Sequence, residues 1–147
     1  RHTFYYHFKD ERDLMEWGIK ECLERTRVEA IKGGMWIDSM DMVLEKAEME
    51  RKFILTLFHS HLKEEFCNII CGWSFSIFDK IIREKSKGQA IKEQDVQFVI
   101  KILTYGLTGI VVDWLEGGMM ESHKKLCEQV RTLIGDSFEG AIQKFVK

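Results

Sequence analysis

The apolar residues of this chain recur at intervals of three and four positions, a spacing that predicts helices. Asp10 can cap a first helix, and the Gly33-Gly34 pair can end it. One side of this helix carries Met15, Ile19, Cys22, Leu23, Thr26 and Ala30. The segment is therefore predicted to be a long helix with one apolar side.

The same kind of pattern predicts the remaining elements. Asp38 and Ser39 can start a second helical segment, with a break before the apolar residues 53–58. Residues 62–82 are rich in apolar and aromatic side chains, which predicts a largely buried helix. The segment 96–115 is apolar almost all round, so it must be covered on more than one side.

The last segment, 126–145, places apolar residues on one side and charges on the other. The chain has no proline to interrupt its helices and no convincing strand pattern. Its 147 residues suffice for one domain with a substantial core. The predicted fold class is all-α.

Composition narrows the choice of partners and location. With 22 basic and 24 acidic side chains there is no chain-wide cationic field, so any contact with DNA must be local. Four scattered cysteines fit free thiols in a reducing cytoplasm. The stretch 96–112 is interrupted by Lys101 and falls short of the ~20 apolar residues of a membrane span, so no membrane helix is predicted. Because the first residue is Arg1, we expect the authentic amino terminus to lie upstream.

The chain opens with Arg1-His2-Thr3-Phe4-Tyr5-Tyr6-His7-Phe8, and a leucine follows at position 14. This run resembles the end of the DNA-binding domain of TetR-family transcriptional regulators. The resemblance implies a TetR-like helical effector-binding domain with a dimer interface of two helices per subunit and a truncated amino-terminal helix-turn-helix. Residues 1–9 would be the remnant of the recognition helix, and residues 10–147 the effector-binding and dimerisation domain.

A short helix rich in hydroxyl and cationic side chains can donate hydrogen bonds to DNA phosphates, while Phe4 and Phe8 anchor the helix to the domain. Tyr5 and Tyr6 fit a place in the core equally well. Many members of that family carry a lysine where this chain has Glu11. The two helices that precede the recognition helix in the family are also not in the sequence. We therefore expect no tight operator binding by this chain alone. The predicted DNA-facing residues are Thr3, Tyr5, Tyr6, His7 and Lys9.

The last two helices are predicted to form the homodimer interface, because a monomer has difficulty covering both of them. Gly106 and Gly109 can let two helices approach closely, although packing within one chain explains them as well. The predicted interface residues are Gly106, Gly109, Ile110, Leu133, Ile134, Phe138 and Ile142.

An effector pocket is predicted where large aromatic residues lie beside polar groups, a mixture that small-molecule cavities use. An ordinary hydrophobic core explains the same residues, and nothing in them identifies a ligand. The predicted pocket residues are Phe58, His59, Phe66, Trp73 and Tyr105.

Other functions receive less support. Cys67 and Cys71 lie four residues apart with His59 or His61 nearby, but the spacing is looser than in metal sites, so no metal and no cofactor is predicted. The sequence shows no nucleophile with a base and no phosphate-binding glycine loop, which argues against an enzyme. We expect a cytoplasmic regulator whose partners are operator DNA, a second copy and a small effector.

The segment Tyr105–Leu115 resembles one branch of the family, which includes regulators of dihydroxyacetone kinase genes. That resemblance implies an alternative function, a helical regulator or interaction module of the same fold that a protein partner controls. A solid core without a cavity would favour this alternative.

Overall fold

The computed structural model describes residues 9–33, 36–135, 140 and 142–146, and the regular elements of these residues are helices. In chain order they are α1 (Glu11–Gly33), α2 (Trp36–Met49), α3 (Arg51–Phe58), α4 (Lys63–Ser86), α5 (Glu93–Glu116) and α6 (His123–Ile134). The predicted all-α class is confirmed.

Helices α4 and α5 form an antiparallel pair. Lys63 in the first turn of α4 pairs with Glu116 at the end of α5, and Arg83 near the end of α4 pairs with Glu93 at 2.8 Å. Full burial of a large apolar side chain contributes roughly 1.5–3 kcal/mol, so this pair supplies much of the core energy. Its buried apolar residues include Ile77, Phe78, Ile81 and Ile82 from α4 and Val99, Ile100, Leu103 and Leu107 from α5.

Helix α1 packs against both α2 and α4. The predicted cap is present, since the Asp10 carboxylate accepts a hydrogen bond from the backbone N–H of Asp13 at 2.9 Å. The helix ends at Gly33, close to the predicted glycine pair. Its predicted apolar side is buried at Met15, Leu23, Thr26 and Ala30.

A tight turn returns the chain from α5 to α6. Gly118 adopts a φ of 76°, which glycine allows without strain, and the Met119 N–H bonds to the Trp114 carbonyl at 2.9 Å. The indole Nε1–H of Trp114 donates to the Glu121 carbonyl at 2.8 Å. The turn therefore lets α6 pack against α2.

Two predicted boundaries differ from the structure. Helix α2 begins at Trp36, two residues before the predicted Asp38 start, and buries Trp36 and Ile37 in the core. Helix α6 ends at Ile134 within a sequence pattern that continues to residue 145, and the described residues 140, 142 and 143 are again helical. By length and composition α5 passes for a membrane span, but it packs on α4 with one side in the core, as helices of non-membrane cores also do.

Two buried threonines predict opposite effects on stability. Thr104 is fully buried, and its hydroxyl has no hydrogen-bond partner among the described residues, whereas the Thr26 hydroxyl donates to the Leu23 carbonyl at 2.8 Å. Thr104→Val should raise the free energy of unfolding by about 1 kcal/mol, because it removes an unpaired buried hydroxyl without changing the shape. Thr26→Val should lower it by about 0.5–1.5 kcal/mol. Urea unfolding followed by circular dichroism measures both, and equal losses would contradict this account of Thr104.

Candidate functional site

A cavity of about 440 Å³ lies among α1, α2, α4 and α5. Its size falls within the range of small-molecule pockets, roughly 300–1,000 Å³. Its walls are almost entirely hydrocarbon, aromatic ring and sulfur. Residues that line it include Met15 and Ile19 from α1, Met40 and Leu44 from α2, Ile70 and Phe78 from α4, and Leu107 and Val111 from α5.

Helix α1 contributes one wall through the apolar side that the sequence predicted as core. Gly18 also lies on this wall, and a Cβ added there would meet nothing within 4 Å. Glycine inside a helix costs about 1 kcal/mol relative to alanine, so a helical glycine beside an apolar stripe was the sequence signal for this site. Gly18 was not among the pocket residues predicted from the sequence.

The indole of Trp73 fixes α4 to α1. Its Nε1–H donates to the Leu23 carbonyl at 2.8 Å, across 50 positions of sequence. The Thr26 hydroxyl donates to the same carbonyl. Since Trp73 and Leu23 both line the cavity, its wall is held by a hydrogen bond between two helices.

Polar groups at the cavity are few. Lys46 and Glu50 are exposed and carry the charge found among the described lining residues. Ser74 is 7% exposed and lines the cavity from α4. The buried part of the wall is thus apolar apart from Ser74, and both charged side chains are exposed.

The structure brings together two of the five predicted pocket residues, Phe66 and Trp73. Phe58 is fully buried instead and packs edge-on against Phe66, with ring centroids 6.3 Å apart. His59 is exposed at the end of α3, and Tyr105 is 62% exposed. These three residues are not part of the cavity wall, because Phe58 faces the core while Tyr105 lies on the side of α5 opposite to Leu107.

The described residues leave most of one side of α5 exposed, apart from an edge-on contact of Phe98 with Phe145. We call this surface the α5 outer face, and it consists of Phe98, Ile102, Tyr105, Gly106, Gly109 and Ile110. Each of its large side chains is at least 39% exposed. A Cβ added at Gly106 or Gly109 would meet nothing within 4 Å, so these glycines do not serve close packing against the other described residues.

The other predicted interface residues have different positions. Leu133 is 75% exposed on α6. Ile134 is half-buried against the core, and Ile142 is 2% exposed. Their own chain already covers these two isoleucines, so the structure offers Ile142 no surface for a second copy. Phe138 lies outside the described residues.

The predicted DNA-facing segment is represented by Lys9 alone. This residue is exposed, and its backbone N–H donates to the Asp13 carboxylate at 3.2 Å, just before α1 begins. Thr3, Tyr5, Tyr6 and His7 lie outside the described residues.

His123, at the start of α6, is a buried polar residue that was not predicted from the sequence. Its side chain is 8% exposed, and its Nδ1 hydrogen-bonds with the Glu48 carboxylate. Its Nε2 lies 3.5 Å from Asp41 Oδ1 without hydrogen-bond geometry. Both carboxylates belong to α2, so the ring joins a cavity helix to the last helix. No sequence spacing signals a contact between residues 75 positions apart.

Two thiols are buried enough to lose reactivity. Burial raises the pKa of Cys67, and burial together with Asp41 raises the pKa of Cys127 to about 12. Because the thiolate is the nucleophile and the metal ligand, both groups stay protonated near neutral pH. Cys67 and Cys127 therefore act as small apolar packing groups.

A TetR family model, described as a transcriptional regulator C-terminal region, matches residues 34–136. No curated protein and no solved structure matches the chain.

Removing the His123 ring should weaken the contact between α2 and α6. In His123→Leu, Glu48 loses its partner and the free energy of unfolding should fall by about 1–3 kcal/mol. The exposed His61 supplies a control, since His61→Leu should change the free energy of unfolding by less than about 0.5 kcal/mol. Chemical denaturation measures both variants, and an unchanged His123→Leu would show that this contact contributes nothing.

Proposed function

The chain belongs to the TetR family of transcriptional regulators, whose C-terminal-region model matches residues 34–136, and we propose that it is a DNA-binding regulator controlled by an effector in the cavity. It acts as a cytoplasmic homodimer, and residues 1–9 belong to its DNA-reading helix-turn-helix. The domain controls operator binding without catalysing a reaction.

The observation that carries this proposal is the position of α1. The helix directly follows the proposed DNA-binding remnant, and its apolar side forms one wall of the cavity. A ligand in the cavity therefore contacts the element that positions the DNA-binding heads. A ligand that favours one position of α1 shifts the population toward it and changes the separation of the two heads.

The contacts that hold α1 against α4 fit such a movement. Arg12 pairs with Glu65 at 2.6 Å near the start of α1, but their side chains are 52% and 31% exposed. Ion pairs this exposed typically contribute less than about 1 kcal/mol. The Trp73 hydrogen bond to Leu23 is the more protected contact, and it lies where a bound molecule would touch both helices.

Dimerisation is supported by the α5 outer face. Covering an exposed apolar stripe with another surface removes it from water and is favourable, so such a stripe favours association. The two glycines give this face a shallow centre, where a second copy of α5 can approach closely. A twofold axis would place the same face of each copy against the other, and Leu133 of α6 would extend the contact.

The same exposed face also supports a second mode of control. A protein partner, as the resemblance of Tyr105–Leu115 to regulators of dihydroxyacetone kinase genes implies, would bind the apolar side chains of Ile102 and Tyr105. In that case the outer face would serve the partner and the chain alone would be a monomer.

Loss of the indole hydrogen bond should change operator affinity. In the full-length regulator, with its operator found by selection from genomic DNA, Trp73→Phe keeps the ring but frees the Leu23 carbonyl. Operator affinity should change by about 2–10-fold, the equivalent of one hydrogen bond. Ser86→Ala is the control, because its hydroxyl donates to the Ile82 carbonyl within α4 and lies outside the cavity wall. Equal operator affinity for Trp73→Phe and the unmodified regulator would contradict this role of α1.

A charge on the α5 outer face should break the dimer. The monomer has room for Gly109→Arg, but two copies would bring the arginines together in an apolar interface, so the dimer dissociation constant should rise at least about 100-fold. Gly72→Arg, on open surface of α4, should remain dimeric. Sedimentation equilibrium distinguishes the two variants. If the unmodified chain is a monomer, the proposed dimer is wrong and the protein-partner mode is favoured.

A further inference from the structure

The chemistry of the cavity wall selects a class of ligand. This inference rests on the proposal that the cavity is the effector site. The two indole N–H groups with identified partners at the wall, those of Trp73 and Trp114, each donate to a backbone carbonyl at 2.8 Å. A ligand therefore finds ring faces, methyl groups and thioethers there, and few free hydrogen-bond donors.

Charge does not favour an ionic ligand. Among the described lining residues, Lys46 and Glu50 carry opposite charges, and both are exposed. An ion inside the cavity would lose its water without gaining a buried counter-charge, and an unpaired buried charge is strongly unfavourable. An uncharged molecule avoids this cost and gains free energy from every apolar surface that it buries.

Ser74 supplies the single buried polar contact. It lines the cavity from α4 and is 7% exposed. A hydroxyl both donates and accepts, so it can satisfy an alcohol, a carbonyl or an ether oxygen. We propose that the cavity binds an uncharged, largely hydrocarbon molecule that presents one oxygen to Ser74.

The test uses the full-length protein and N-phenyl-1-naphthylamine, an uncharged probe that fluoresces in apolar surroundings. We expect the probe to bind and 1-decanol to displace it at concentrations at least about tenfold lower than decanoate or decylammonium, because of the desolvation cost of the charged head groups. Ser74→Ala should weaken decanol binding about 2–10-fold, the equivalent of one hydrogen bond. A charged competitor that displaces the probe as well as decanol overturns the ligand class.

A matched pair of glycine variants locates the binding. Both Gly18 and Gly72 lie within helices where an added Cβ meets nothing within 4 Å, but only Gly18 lines the cavity. Gly18→Leu should fill part of the cavity and weaken probe binding at least about tenfold. The probe affinity of Gly72→Leu should stay within about twofold of that of the unmodified protein. Both replacements favour the helix, so thermal unfolding should show that neither variant is destabilised. Equal probe affinity for the two variants overturns the location.

The operator assay separates this inference from the proposed function. If decanol binds at the Gly18 wall but operator affinity is unchanged, the ligand class is supported and effector control is wrong. If decanol does not bind while Trp73→Phe still changes operator affinity, the proposed role of α1 is supported and the ligand class is wrong.

Discussion

Helix α5 sets the main constraint on this fold, because it is apolar on nearly every side and cannot lie in water. Helix α4 covers one side along its full length, and the ion pairs at both ends of the hairpin fix the register of the two helices. The remaining helices complete this core only in part. The α5 outer face stays exposed, which makes association with another surface the natural way to bury it.

The cavity is a second consequence of how that core is covered. Helices α1 and α2 do not fill the space over α4 and α5, and the residue of α1 at that wall that lacks a side chain is Gly18. The Trp73 hydrogen bond holds α1 across this incompletely filled space. The side chains of α1 that line the cavity are therefore also those that pack this helix against α2 and α4.

Helix α2 links the cavity to the last helix. It lines the cavity with Met40 and Leu44, and its opposite contacts reach α6 through Glu48 to His123 and through Asp38 to Arg131 at 2.7 Å. Helix α2 therefore contacts both the cavity and α6. These contacts lie within the segment that the TetR family model matches.

The sequence by itself determined the helices, because three- and four-residue spacing, the Asp10 cap and the glycine pairs are local properties of the chain. It also indicated that α5 needs cover on several sides. Local pattern did not decide which side of α5 faces the core, since an all-round apolar helix has no marked face, and Tyr105 was therefore assigned to the pocket although it points outward. Only the tertiary structure decided that α1 and α2 wall the cavity, that Ile142 is buried within its own chain, and that His123 meets two carboxylates of α2. These contacts join residues far apart in sequence, and their geometry follows from how the helices pack against one another.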